Sequence, residues 1–313
     1  MNILFHSNQL SERGTEIALF DYAHFNETML NNKSFIICKN LSEESLTYED
    51  SVTKFKNRFT NVFTYTTHGQ LEDIIKNLNI DFLYTIKAGI NDGVYSNKVK
   101  TGIHVVFQYY QPHGDVYAYI SKWLSDKMSN GKNPYVPHMI NLPNHQNNLR
   151  EELNIPKTAR VFGRYGGKDT FNIPYVLETI KRLETEDVYF IFMNTNKFTS
   201  QKNVIFLNPT TDMSEKVKFI NTCDCMLHAR SQGESFGIAV GEFSIKNKPI
   251  LTSTQGRDRA HYEILGDKGL YYSNAQQLEK LLTSDIDFSL NWNSYSNYNP
   301  TNIMNTFKKV FLS

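Results

Sequence analysis

Long apolar runs are missing from this chain of 313 residues. None approaches the ~18 residues that a membrane-spanning helix requires. The opening Met1-Asn-Ile-Leu-Phe-His6 is also too short for the apolar part of a secretion signal. Cysteine is scarce: Cys38, Cys223 and Cys225 are an odd number and have no partners at zinc-site spacing, so neither a disulfide framework nor a zinc finger is expected. Charge of one sign is missing too. With 33 Lys and Arg against 32 Asp and Glu, no global field attracts nucleic acid or an anionic membrane, and any anion site must be local. Together these absences lead us to expect a soluble, cytoplasmic protein without a nucleic-acid partner or a transmembrane segment. Peripheral membrane contact stays open.

What is present is an alternation of two periodicities. Ile3 to His6, Ser34 to Cys38, Val62 to Tyr65, Phe82 to Ile86, Ile103 to Phe107 and Val116 to Ile120 read as buried strands. Thr15 to His24, with apolar residues at 17, 18, 20 and 23, and Leu71 to Leu78 read as helices between them. Residues 129–148, rich in Asn, Gly, Pro and His, have linker composition. The pattern then restarts, with strands at Val161-Phe162, Val188 to Phe192, Val204 to Leu207, Cys225 to His228 and Ile250 to Ser253. Helices are expected from Ile173 to Leu183, near Ser214 to Asn221, from Phe236 to Lys246, and at the tail from Asn302 to Leu312. Strands alternating with helices predict parallel sheets covered on both faces. The length suits two such domains, 1–150 with the linker and 151–313 with the tail helix.

Ser231-Gln-Gly-Glu-Ser-Phe-Gly-Ile-Ala-Val-Gly-Glu-Phe243 is the most informative segment. It carries Glu234 and Glu242 eight positions apart, between an apolar strand and the strand that opens after Lys248-Pro249. In a parallel α/β sheet ligands gather at the carboxyl ends of strands, where helix N-termini offer free N–H groups and partial positive charge. Eight helical steps would set the two backbones about 12 Å apart, beyond the ~5–9.5 Å of a glycosidase carboxyl pair. One extended ligand held at two points fits better: a sugar at Glu234, a ribose at Glu242, and a diphosphate across the helix start at Phe236 and Gly237.

The Gly-Glu-Ser-Phe-Gly sequence, followed by Glu242, Phe243 and Lys248-Pro249-Ile250, resembles the Glu-x7-Glu signature of retaining glycosyltransferases of the GT-B fold, the large family-4 type. The resemblance is specific from about Val161 to Leu270 and looser before that. It implies two doubly wound Rossmann-like domains facing across a cleft, with the acceptor on the first and the nucleotide sugar on the second, and it suggests that the tail helix reaches back toward the first domain. It also implies transfer of a hexose from a UDP-, GDP- or ADP-sugar to a glycan, lipid or protein acceptor hydroxyl with retention of configuration. No cofactor is implied beyond that co-substrate, and no metal. The absence of an Asp-x-Asp metal motif is expected to fit this, since Asp224 to Arg230 offers one acid.

Phe162-Gly-Arg-Tyr-Gly-Gly-Lys168 leaves the first strand of the second domain. Arg164 can grip a diphosphate with its planar fork and Lys168 as a point charge. The resemblance gives both residues the leaving group, although they stand one position closer than its pattern has them. Ser11-Glu-Arg-Gly14-Thr15-Glu16 resembles the family's N-terminal glycine loop with one glycine instead of two. Gly14 would let a phosphate or acceptor approach, with Arg13 as a weaker suggestion and a plain turn capped by Thr15 as the other reading. His113, in Gln111-Pro-His-Gly-Asp115, is the best match for the family's sugar-contacting histidine. His104 reads as core, His228 as structural, and Arg230 as ordering Glu234. Lys87 could meet an acceptor, though Lys87 to Gly93 reads rather as a plain turn, and Tyr109, Tyr110, Tyr117 and Tyr119 could stack on a sugar but read as core aromatics and are given no role. Two other functions stay open: nucleotide-sugar binding without transfer, and epimerisation of a nucleotide sugar on the same fold.

Overall fold

The structure, a computed structural model, describes residues 1–11, 14–39, 49–185 and 187–313. Arg13 lies outside them. The chain forms two compact units, Met1–Met139 with Tyr298–Ser313, and Ile140–Asn297. This differs from the division expected at 150 with the tail helix in the second domain.

In the first unit the elements run β1 (Asn2–Ser7), α1 (Gly14–Thr28), β2 (Lys33–Lys39), α2 (Glu49–Arg58), β3 (Val62–Tyr65), α3 (His68–Asn77), β4 (Phe82–Lys87), β5 (Lys100–Val105), β6 (Val116–Tyr119) and α4 (Lys122–Ser129). The strands form one parallel sheet in the order β3-β2-β1-β4-β5-β6, with Ile3 of β1 opposite Ser34 on one side and Phe82 on the other. Ile3, Leu4 and Phe5 are fully buried, as a central strand covered on both faces requires. Local sequence sets the helix starts. Thr67 and Gln70 form a reciprocal capping box on α3, and Ser121 caps α4. On α1 the buried face is Glu16, Ala18, Leu19, Tyr22, Ala23 and Asn26, so the apolar Ile17 and Phe20 are only half-buried.

The tail helix belongs here because of its apolar stripe. Within α10 (Pro300–Phe311) the buried residues are Ile303, Met304, Phe307 and Phe311, and the Phe307 ring lies 5.2 Å from Tyr22 and 5.3 Å from Tyr84. Gly102 in β5 leaves room for the helix, since a Cβ there would stand 2.6 Å from the Phe311 ring.

The second unit repeats the plan: β7 (Arg160–Tyr165), α5 (Pro174–Arg182), β8 (Val188–Met193), β9 (Val204–Leu207), α6 (Met213–Thr222), β10 (Cys225–His228), β11 (Gly233–Glu234), α7 (Ile238–Ile245), β12 (Ile250–Ser253), β13 (Asp258–Arg259), α8 (Ala260–Leu265), β14 (Gly269–Tyr272) and α9 (Ala275–Thr283). Its parallel sheet has the order β14-β12-β10-β7-β8-β9, and β11 pairs with β13 as a small ribbon beside it. Counted within each unit, both sheets have the 3-2-1-4-5-6 order of the doubly wound Rossmann-like fold. Phe162, Phe190, Leu227, Leu251 and Tyr272 carry the core across the second sheet.

Two boundaries differ from the sequence reading for identifiable reasons. Strand β7 continues through Gly163, Arg164 and Tyr165, which looked like loop. Gly163 is a strand glycine, because a Cβ there would lie 2.1 Å from Cys223 Sγ. Helix α7 starts at Ile238 rather than Phe236, because Gly237 precedes it with a left-handed φ of 89°.

Candidate functional site

In a doubly wound sheet the crevice opens where neighbouring strands send their chains to opposite sides. In the second unit that place lies between β7 and β10, which pair through Cys225–Phe162 and Met226–Gly163. The loops leaving these strands carry Lys168 and Glu234. They are tied together where Asn172 N donates to the Ala229 carbonyl at 3.0 Å and Ser231 N donates to Asn172 Oδ1 at 2.9 Å.

Glu234 is held by its carboxylate. His228 Nε2 lies 3.2 Å from Oε1, and Arg230 Nη1 donates to Oε2 at 2.9 Å, while Arg230 Nη2 donates to Gln232 at 3.1 Å. Burial works to raise the pKa of this carboxyl, but the hydrogen bond from His228 and the Arg230 charge outweigh it and hold it down at about 2. The group is therefore an anion at neutral pH, with one side chain fixing each oxygen. The ribbon supports the same loop: Gly233 pairs with Asp258 and Glu234 with Arg259. Gly233, at φ 71°, has no room for a Cβ, which would stand 2.1 Å from the Asp258 carbonyl oxygen. Arg230 orders Glu234 as the sequence suggested, and the sequence reading missed Gln232 and the ribbon.

Arg164 turns inward. It is nearly buried, and its fork donates to the Asn194 carbonyl at 3.2 Å, the Gly167 carbonyl at 2.8 Å, and the hydroxyls of Thr195 and Thr170. Its guanidinium carbon stands 5.8 Å from the Phe171 ring centroid. Burial lowers its pKa to about 10, which still leaves it charged. These bonds make Arg164 the staple between the loops after β7 and β8, a different posture from the diphosphate grip expected from sequence. The cause is the strand continuation, which points this side chain away from the loop's rim. Lys168 lies on that rim, exposed.

Glu242 also differs from expectation. It is the fifth residue of α7, so only four of the eight steps from Glu234 are helical and the about 12 Å spacing of a continuous helix does not apply. Its carboxylate is buried and receives Lys216 Nζ from α6 at 3.3 Å. The same ammonium sits 5.0 Å from the Tyr165 ring centroid. Lys216 was missed because nothing in its neighbourhood along the chain marks it. Phe236 is buried, and its carbonyl accepts from Tyr295 at 2.9 Å, so its side chain is packing. The first-turn N–H groups of α7 belong to Ile238, Ala239 and Val240 rather than to Phe236 and Gly237.

The remaining candidates lie in the first unit. Gly14 is the first residue of α1, and Glu16 in its first turn takes hydrogen bonds from Ser7 and Ser11 at 2.9 and 2.6 Å. A buried carboxylate thus stands in the first turn of the helix whose start is expected from sequence to take a phosphate or acceptor. His113, on the loop after β5, keeps Nδ1 at 2.7 Å from the Gln111 carbonyl, and burial lowers its pKa. With Nδ1–H donating to the carbonyl, Nε2 is an acceptor. His104 is core, 2.6 Å from the Tyr84 hydroxyl and 2.8 Å from the Val136 carbonyl. Lys87 is no turn residue: it ends β4 and pairs with Asp92 at 2.6 Å. Tyr117 and Tyr119 are buried, the first donating its hydroxyl to the Gly89 carbonyl at 2.6 Å and the second to the Tyr109 carbonyl at 2.9 Å, but Tyr109 and Tyr110 are exposed rather than core. The chain does hold one Asp-x-Asp, at Asp285-Ile286-Asp287. It lies by Arg160 at the amino end of β7, the edge opposite the glutamate loop, and Asp287 binds Ser289.

No protein-family profile and no curated protein matches this chain. Solved structures do match. Alr3699/HepE of Anabaena, in complex with UDP-glucose, is 14% identical over 99% of this chain and 99% of that one, with a TM-score of 0.75. A glycosyltransferase from Rickettsia africae ESF-5 is 12% identical over 99% of this chain and 97% of that one, with a TM-score of 0.74. A Listeria monocytogenes protein assigned as a UDP-N-acetylglucosamine 2-epimerase is 11% identical over 99% and 96%, with a TM-score of 0.63. At these identities the likeness speaks for architecture, and with the two 3-2-1-4-5-6 sheets it establishes that the chain has the GT-B fold.

Proposed function

We propose that this protein is a retaining GT-B glycosyltransferase of the family-4 type, which moves a hexose from a nucleotide sugar to an acceptor hydroxyl without a bound metal. The observation that carries the reading is Glu234: an anionic carboxylate beside the switch point of the second unit, with both oxygens oriented by His228 and Arg230. A carboxylate held this way accepts hydrogen bonds from sugar hydroxyls without having to reorganise. The diphosphate would lie across the start of α7, with Lys168 on the rim supplying mobile charge and Arg164 keeping the adjoining loop in shape. Glu242 would act on the nucleoside side, where Lys216 holds it. In the first unit Gly14 and His113 are assigned to the acceptor side, with the free Nε2 of His113 as an acceptor toward a sugar hydroxyl.

A uridine diphosphate sugar is the donor we favour, because the Anabaena structure was solved with UDP-glucose. The three free, buried thiols support a reducing cytoplasm. Among the described residues no helix is long and apolar enough to cross a membrane. The acceptor would be a glycan, lipid or protein hydroxyl. The Listeria likeness favours a second reading, epimerisation of the nucleotide sugar.

A panel of UDP-, GDP- and ADP-sugars tested by thermal shift and then by anomeric NMR separates these readings. At 100 times its dissociation constant the true donor adds about 2.7 kcal/mol of stability. Retained configuration in a product glycoside supports transfer. An isomerised nucleotide sugar without acceptor selects the epimerase, and donor binding with no chemistry leaves a binding protein.

A further inference from the structure

Behind Glu234 a line of hydrogen bonds runs back through three elements. His228 Nε2, at the end of β10, meets Glu234 Oε1 at 3.2 Å, and His228 Nδ1 meets Thr252 Oγ1 in β12 at 2.9 Å. The same hydroxyl oxygen meets His261 Nε2 in α8 at 3.1 Å. Thr252 and His261 are 0% exposed and His228 5%, so water does not compete for these contacts. The two imidazole rings lie 4.8 Å apart between centroids.

We propose that Thr252 and His261 are positioning residues for Glu234, acting by fixing His228 in the tautomer that carries its proton on Nε2. An ionised carboxylate only accepts, so the ring nitrogen facing it must donate. In the proposed tautomer the ring carries one proton, on Nε2, and Nδ1 of His228 is an acceptor. The single hydroxyl proton of Thr252 goes to that nitrogen, leaving its oxygen to accept from His261 Nε2–H. His261 stays neutral because burial pushes its pKa down to about 3. All three protons therefore point toward Glu234. Breaking the line releases His228 to place its proton on Nδ1, which turns a lone pair against the carboxylate and frees one of its two oxygens. Arg230 holds the other oxygen, and the Tyr272 hydroxyl, 2.7 Å from the His228 carbonyl, fixes the backbone rather than the ring.

The consequence for turnover rests on the assignment of Glu234 to the sugar, but the tautomer does not, and the test separates the two. Nitrogen-15 spectra of the wild-type protein at neutral pH should show His228 and His261 both protonated on Nε2 and bare on Nδ1. An Nδ1–H tautomer or an imidazolium at His228 would overturn the proposal without any variant being made. Four variants then read the function. A glutamine amide reaches about as far as Nε2 and an asparagine amide does not, so His261→Gln should keep turnover where His261→Asn loses it. Thr252→Ser should likewise keep what Thr252→Val loses. The losses expected are about ten- to a hundredfold in kcat, as for outer partners of metal-bound histidines, with a smaller change in donor KM. Equal kinetics across each pair would overturn the positioning role. If Glu234→Gln itself leaves transfer intact, the sugar assignment fails while the spectra still decide the tautomer.

Discussion

Replacing Glu242 by glutamine separates the two roles open to it. The Lys216 ammonium stands 3.3 Å from its carboxylate, with side-chain exposures of 6% and 3%. A surface ion pair contributes about 0–1 kcal/mol, but removing one partner of a buried pair costs about 3–5 kcal/mol, because the remaining charge has lost its counter-charge away from water. Against a total stability of about 5–15 kcal/mol that is a large fraction. Glutamine keeps the shape and an acceptor oxygen, so the loss measures charge rather than packing. Lys216→Met in the same chain should recover most of it, since an apolar replacement of a whole buried pair is often neutral. Urea unfolding of wild type, the two single variants and the double variant gives the coupling directly. Calorimetry with UDP on the folded variants then asks whether the carboxylate also serves the ribose. A destabilisation below about 1 kcal/mol, with UDP affinity lost, would refute the buried-pair reasoning and make Glu242 a ligand residue first.

Arg164→Ala should lower stability by about 1.5–3 kcal/mol or more, the value of one charge-assisted hydrogen bond, and Arg164→Lys should not restore it because the ammonium lacks the fork; melts that match wild type would return Arg164 to the ligand. Acid should unfold the protein early, because His6, His104 and His261 are pushed by burial to about 3 and His138 well below its usual value. Their unfolded pKa near 6.5 is higher, so the stability they contribute is complete above that pH and falls as pH drops, by about 1.4 kcal/mol each between pH 7.5 and 5.5. Denaturant melts at these two pH values should therefore differ by about 5 kcal/mol, and equal midpoints would contradict it. Transfer should survive excess EDTA, since Lys168 and the start of α7 are assigned the diphosphate charge; loss on chelation with recovery on adding manganese would overturn that assignment.

Both sheets were legible because their central strands are buried on two faces and appear as uninterrupted apolar runs such as Ile3-Leu4-Phe5 and Cys225-Met-Leu-His228. The glutamate loop was legible for a related reason: it sits between two such runs, and glycine marks its turns. What could not be read is whatever depends on a partner from another element. Lys216 is 26 residues from Glu242, and Thr252 is 24 from His228. Only the sheet order brings them together. Gly163 misled for the same reason, since its lack of a side chain answers Cys223 at the end of α6 rather than a turn in its own segment. The tail helix carried its apolar stripe in the sequence, but a stripe does not name its partner.

The spacing of the two glutamates takes on a different meaning once the helix start is known. Because Gly237 breaks the path at φ 89°, Glu234 belongs to a loop and Glu242 to the interior of α7. Their surroundings follow from that division. Glu234 is bonded to side chains that leave its loop at the crevice, whereas Glu242 is closed in by Lys216, with Tyr165 against that lysine. A shorter spacing would bring the second carboxylate into the first turn of α7, where it would compete with any anion for the free N–H groups. Eight positions put one carboxylate in the loop and the other inside the helix, with the first-turn N–H groups, to which we assign the diphosphate, between them.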